Sequence, residues 1–189
     1  GLSKLPEPAK TSWFAFDHYY SDGAFDEVLP KIFSHQPKTI LDVGGNTGKF
    51  SIACCTFDAD VEMTICDLPG QWEVARKNTA EAGFEARVHG HTIDLLDPDS
   101  ALPQGFDAIW MSQFLCCFSK EEIVSILTRA KDAMGEHSRL WIMDTYWDRQ
   151  ENEVASYCLH GTSLYFTAMA NGNSRMYSAK HMLECVEKA

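Results

Sequence analysis

Residues Ile40 to Phe50 read ILDVGGNTGKF: an apolar run, an acid, a cluster of small residues, then a lysine. The run from Thr39 to Val43 stops at Gly44 and reads as a buried strand, with a helix from Lys49 to Phe57 behind it. A glycine-rich turn in that place lets backbone approach a ligand closely, and Asn46 is the side chain that best tolerates a left-handed conformation there. A triphosphate loop would need a Gly five residues before its second Gly and a Ser or Thr after the Lys. Those places hold Val43 and Phe50, so the magnesium-binding hydroxyl is missing. The dinucleotide fingerprint GxGxxG fails as well, because from Gly44 the string G-G-N-T-G is one residue short and gives DxGxNxG instead.

Outward from this loop, residues 61–67 (VEMTICD) read as a second strand, and its last residue, Asp67, comes 19 residues after Gly48. A carboxylate at that strand end can accept hydrogen bonds from both hydroxyls of a ribose. Pro69 starts a helix closed by Gly83. Residues 86–93 and 106–112 are the third and fourth strand candidates, and 139–144 the fifth. Ser119 and Glu122 form a capping box that opens the helix KEEIVSILTRAKDAM, stopped at Gly135. Toward the N-terminus, GLSKLPEPAKT reads as a tail or linker. Phe25, Val28, Leu29, Ile32 and Phe33 then fall near helical spacing, with Asp26 and Glu27 where a helix dipole favours acids. Strands alternating with helices predict an α/β fold, a Rossmann-like, doubly wound and mostly parallel sheet covered on both faces. Residues 1–37 form its N-terminal linker and leading helix, and residues 38–189 its ligand-binding domain.

Composition narrows the ligand. The chain has 189 residues, 45% of them apolar and 23% charged, which fits one globular domain with a sizeable core. A formal net charge of −11 argues against a nucleic-acid backbone as partner and favours a small molecule. No apolar run approaches the roughly 20 residues that span a bilayer and no secretory leader is visible, so no membrane partner and a cytoplasmic location are expected. Seven cysteines include the adjacent pairs Cys54/Cys55 and Cys116/Cys117 but no CxxC, the pattern of reduced core thiols, with neither a disulfide framework nor a metal site expected.

The ordered set LDVGGNTG, CDLPGQ, the Asp-Leu pair of HTIDLLD, FDAIWMSQFLCCFSKEEIVSIL and RLWIMD resembles the catalytic domain of S-adenosylmethionine-dependent small-molecule O-methyltransferases, the plant caffeate and hydroxyindole type and their bacterial relatives. The resemblance covers roughly residues 38 to 189. It implies a class I methyltransferase fold, S-adenosylmethionine as methyl donor with S-adenosylhomocysteine as product, and a small, aromatic acceptor methylated on oxygen. Asp42, Gly44, Gly45 and Gly48 would surround the methionine and ribose part of the donor. Asp67 would bind the ribose hydroxyls with Leu68 beside it, and Asp94 with Leu95 would flank the adenine. Ser112 stands where many relatives carry a Lys that contacts the cofactor. Against the family pattern, the last strands of the sheet and the N-terminal winged-helix domain are missing from this chain, and relatives use that domain to form a homodimer.

One departure bears on mechanism. After the fourth strand relatives read LHDW, with His as general base, whereas this chain has Leu115, Cys116, Cys117 and Phe118. Cys116 takes the base position, and a thiol with a free pKa near ~8.5 is a poor base. His160, or Asp144 at the end of the fifth strand, are the other candidates. Three readings stay open: a base from one of these, an acceptor that needs none because it is already ionised or is a ring carbon of an activated phenol, and a cofactor-binding protein without methyl transfer. An NAD-dependent oxidoreductase is the remaining rival, and lacks its fingerprint. Residues 149–177 correspond to the family's acceptor cover, so Tyr157, His160, Tyr165, Phe166 and Met169 are acceptor-pocket candidates, joined by Phe114 and Phe118 after the fourth strand. Tyr19 and Tyr20, with Phe114 and Phe118, could present aromatic faces to a sulfonium cation.

Overall fold

The computed structural model of the chain describes Pro6, Pro8, residues 23–168 and residues 172–189. Tyr19, Tyr20, Met169 and most of the N-terminal linker lie outside the described residues. The chain divides into two compact units: residues 23–112 with Arg129–Ile142, and residues 113–128 with 143–168 and 172–189.

The first unit is built on a sheet. Strands β1 (Thr39–Val43), β2 (Glu62–Asp67), β3 (Val88–Thr92), β4 (Ala108–Ser112) and β5 (Arg139–Met143) run parallel in the order β3-β2-β1-β4-β5. Ile40 to Val43 are all buried, and so are Ala108 to Met111. Because successive strand residues point to opposite faces, unbroken burial means that both faces are covered. Helices α1 (Phe25–Phe33), α2 (Lys49–Phe57) and α3 (Pro69–Glu81) alternate with the strands, as their periodicity predicts. Phe50 of α2 stacks on Trp110 of β4 at 4.2 Å, and Phe25 of α1 meets Phe50 edge-on at 5.5 Å, which ties both helices to the centre of the sheet. On α3, Trp72 lies over Gly90 of β3 so closely that a Cβ there would overlap the indole. Gly83 closes α3 as expected, with the Phe84 N–H reaching back to Thr79 O at 2.8 Å. Strand order reverses at β1, with β2 and β3 on one side and β4 and β5 on the other. That reversal opens a crevice at the carboxyl ends of β1 and β4, where ligands bind in sheets of this kind.

Helix α4 (Lys120–Ala133) starts in the second unit. Its capping box is complete: Ser119 N–H donates to Glu122 Oε2 at 2.7 Å, and Glu122 N–H to Ser119 Oγ at 3.3 Å. The second unit also holds α5 (Glu153–Phe166) and α6 (Ala179–Lys188), started by Asn152, whose side chain accepts from Ala155 N–H, and by Ser178, which accepts from His181 N–H. The sequence reading assigns no element to residues 149–177, and about half of that stretch is α5. The apolar residues of α5 are spread around its circumference: Val154, Tyr157, Leu164 and Tyr165 are exposed and Leu159 is buried, so no single stripe announces the helix. Four of the seven cysteines, Cys54, Cys55, Cys66 and Cys185, are buried packing residues. Among the described residues no helix is long and apolar enough to cross a membrane.

Candidate functional site

The loop after β1 is shaped around a buried carboxylate. Asp42 is 2% exposed, and Ser51 in the first turn of α2 donates its hydroxyl to Asp42 Oδ2 at 2.8 Å. A Cβ on Gly45 would sit 2.8 Å from that same Oδ2 and 2.9 Å from Ile65 Cγ2, so only glycine leaves room for the acid beneath the loop. Gly44 and Gly48 have φ of 73° and 80°, the left-handed region that glycine enters without strain, and Asn46 at 50° is the non-glycine that the sequence placed there. Side chains of α3 hold this shape: Gln71 Nε2 donates to Asn46 Oδ1 at 2.7 Å and Asn78 Nδ2 to Thr47 O at 2.9 Å. The glycines thus make space for the acid, while the polar side chains around them set the loop.

Asp67 ends β2 beside this loop. Its Oδ2 accepts from Asn46 N–H at 2.9 Å and its Oδ1 from Leu68 N–H at 2.7 Å. Each carboxylate oxygen can accept twice. Two backbone amides therefore fix the plane of the carboxylate and leave one site on each oxygen for a diol. Burial raises the Asp67 pKa and the two amides oppose it. Asp42 is pushed up to about 7, chiefly by burial, with the Ser51 hydroxyl opposing and the charge of Asp67 adding to the rise.

Beyond β3, Asp94 folds its own turn, Oδ1 accepting from Leu96 N–H at 2.9 Å. Among the described residues the Leu95 N–H reaches no backbone acceptor, and the Leu95 side chain is buried. The pairing of Asp67 with Thr92 and the bond from Ile93 N–H to Asp67 O at 3.0 Å place this turn next to Asp67. Ser112 stands half-buried at the carboxyl end of β4, and Leu68 is 48% exposed before α3. Asp42, the glycines, Asp67, Leu68, Asp94, Leu95 and Ser112 therefore share the strand-end side of one sheet. A cavity of about 390 Å³ bounded by Gln104, Phe106, Asp107 and Ser138 lies at the opposite ends, before β4 and β5, and contains none of them.

In the second unit Cys116 lies half-buried in a 3-10 turn, Leu115–Cys117. Three consecutive carbonyls pin that turn: Cys116 O accepts from Arg175 N–H at 2.9 Å, Cys117 O from Ser174 Oγ at 3.4 Å, and Phe118 O from Tyr177 Oη at 2.7 Å. Phe114 and Phe118 meet edge-on at 4.9 Å. Asp144 Oδ1 accepts from Thr145 N–H at 2.8 Å. Burial, then the charges of Asp144, Cys116 and Asp148, push the Tyr146 phenol well above its ordinary range. His160 packs its ring on Trp147 at 4.9 Å on an exposed position of α5. Tyr165 and Phe166 are neighbours at 5.9 Å, Tyr165 is half-exposed and Tyr157 is 78% exposed.

Sequence reading passed over Ser51, Gln71, Asn78, Arg129 and Tyr146. None carries a local signal: each is an ordinary polar residue of a helix or strand end, and only the fold shows what it touches.

The profile of the O-methyltransferase domain family matches residues 24–187. The chain is 29% identical over 150 residues to bacteriochlorophyllide d C-20 methyltransferase of Chlorobaculum tepidum, covering 78% of this chain and 43% of that protein. It is 30% identical over 142 residues to demethylspheroidene O-methyltransferase of Cereibacter sphaeroides, covering 73% and 35%. Among solved structures, the apo form of the S-adenosylmethionine-dependent methyltransferase SibL superposes with a TM-score of 0.78 at 25% identity, over 99% of this chain and 53% of that one. The chain thus spans about half, or less, of the length of the relatives it matches. It belongs to the O-methyltransferase domain family.

Proposed function

We propose that this chain is the donor-binding and catalytic region of an S-adenosylmethionine-dependent methyltransferase acting on a small aromatic acceptor, on oxygen. The observation that carries the reading is the Asp67 carboxylate, fixed by two backbone amides and left with one open acceptor site on each oxygen at the mouth of a glycine loop. The residues fit the donor. Its ribose diol matches Asp67. Its adenine, which accepts at N1 and donates at N6, matches the Leu95 N–H and the second oxygen of Asp94. Its methionine part matches the space that Gly44, Gly45 and Gly48 leave over Asp42. The donor has no phosphate, in keeping with a loop that has no Walker hydroxyl and no dinucleotide spacing.

When bound, the donor supplies an electrophilic methyl on a sulfonium. The chain's part is to hold donor and acceptor in line and to take the acceptor's proton. In-line displacement depends on near-attack placement, so positioning carries much of the rate enhancement. Phe114 and Phe118 offer aromatic surface to the acceptor, with Tyr165 and Phe166 as further acceptor contacts. Cys116, Asp144 and His160 are the proton-accepting candidates. Carbon as the methylated atom is the second reading, favoured because the relative from Chlorobaculum tepidum is named for methylation at C-20. A cytoplasmic location and a homodimer of the full-length protein go with this reading.

The test is calorimetric titration with S-adenosylmethionine, S-adenosylhomocysteine and NAD, alongside Asp67→Ala. Micromolar binding of the two sulfur ligands, lost in the variant, is the expected result. Binding of NAD alone, or equal binding by the Asp67→Ala protein, would overturn it.

A further inference from the structure

The turn between β3 and β4 that carries Asp94 and Leu95 is folded by its own acids, Leu96 N–H donating to Asp94 Oδ1 at 2.9 Å and Asp99 N–H to Asp97 Oδ1 at 3.0 Å. Asp94, Leu96, Asp97, Pro98 and Asp99 are all exposed, and three of them are acids, so a cation against the turn is favourable. One side chain from elsewhere in the same unit meets it. Arg129, on α4, donates from Nη1 to Asp97 O at 3.0 Å, to Ser100 O at 3.2 Å and to Ser100 Oγ at 2.6 Å, and from Nη2 to Leu95 O at 2.7 Å. Ser100 Oγ in turn bonds Asp94 O at 3.0 Å and Asp97 O at 2.8 Å. One planar guanidinium thus fixes the carbonyl of Leu95, and through Ser100 the carbonyl of Asp94. These flank the peptide that presents the Leu95 N–H and the Asp94 carboxylate.

From this we infer that Arg129 is a positioning residue for the base of the cofactor: it sets the Asp94–Leu95 peptide so that this edge reads adenine. The inference rests on the donor-binding reading above. The fork geometry matters, because five donors in a rigid plane span carbonyls that the three donors on the single nitrogen of a lysine reach less well. A bond lost or misaligned at the base edge is worth about 1 kcal/mol, or several-fold in affinity.

The experiment compares S-adenosylhomocysteine with S-inosylhomocysteine, which has a keto oxygen where adenine has its amino group. Affinities for both are measured in the unaltered protein, Arg129→Gln, Arg129→Lys and Ser100→Ala, together with the thermal midpoint of each. The unaltered protein should prefer the adenosyl ligand. Arg129→Gln should lose about tenfold toward it and much less toward the inosyl ligand, so that discrimination falls at least about threefold, with Ser100→Ala and Arg129→Lys in between. Should Arg129→Gln fail to fold, Ser100→Ala, which acts from the turn side, reads the same ratio. Variants that bind both ligands more weakly by the same factor, or that lower only the thermal midpoint, would make Arg129 a strut with no bearing on the base and overturn the inference. If the unaltered protein binds neither ligand, the donor-binding reading itself falls and takes this one with it.

Discussion

Replacing Asp42 by asparagine should turn a pH-dependent fold into a flatter one. Asp42 is buried among Ile65, Gly45 and Ser51, and its folded pKa stands at about 7 against an ordinary value of 3.8. Between those two pH values the unfolded chain has lost a proton that the folded chain keeps. Stability from this group is therefore fully present below pH ~4, falls as pH rises, and is lost beyond pH ~7. At 1.36 kcal/mol per unit the full swing is about 4 kcal/mol, of which about 3 falls between pH ~4.5 and ~8. The amide in Asp42→Asn would keep an oxygen for the Ser51 hydroxyl and carry no ionisable group. Urea unfolding of both proteins across that range should show the variant gaining about 3 kcal/mol relative to the original as pH rises, on top of a residual slope from Asp67, whose pKa is raised in the same direction. Parallel curves for the two proteins would mean that Asp42 is ionised in the fold at neutral pH, and the account of a desolvated acid under the loop would be wrong.

Gly90→Ala puts a methyl into the Trp72 ring, so it should cost about 1–3 kcal/mol in urea unfolding and change the tryptophan emission; an unchanged midpoint would show that the indole moves aside freely. Arg87→Gln removes donors to Cys55 O, Asp58 O and Val61 O at the end of α2, and should lower stability by about 2 kcal/mol while leaving S-adenosylhomocysteine affinity unchanged. Cys116→Ser should lower turnover by far more than it alters donor affinity if the thiol accepts the acceptor's proton. Equal turnover in the two proteins removes Cys116 from the chemistry.

What could be read from the sequence follows from the range of the interactions involved. All five strands, α1 to α4, the Gly83 stop and the Ser119–Glu122 box were legible because each is written within a window of a few residues. Asp67 was legible because the path from one strand end to the next has a narrow length. Helix α5 was not, since its apolar residues face several directions and only the Asn152 cap marks its start. The role of Gly45 was half legible: its place in the motif was plain, but the reason for it, the Asp42 carboxylate at 2.8 Å from a would-be Cβ, is a contact across the loop. Arg129 lies about thirty residues from its partners and could be found only in three dimensions.

The same difference of range separates the proposed donor residues from the proposed acceptor residues. In the proposed reading, donor recognition uses acids whose placement is set by backbone: the amides that hold Asp67, the turn of Asp94 and the space over three glycines. Backbone geometry follows from the sheet register, so a sequence that specifies the strands specifies this half. The proposed acceptor chemistry would depend on side-chain identity at a few positions, Cys116, Phe118 and Asp144, set on turns that the register leaves free to vary. Phe118 shows the division: its carbonyl is held by Tyr177 at 2.7 Å, while its ring is one half of an edge-on pair with Phe114. A substitution that keeps the first and changes the second should redirect the acceptor and leave the donor in place. Phe118→Leu should therefore shift acceptor preference at unchanged S-adenosylhomocysteine affinity, and a matching loss of donor binding would show that the two halves are not separable.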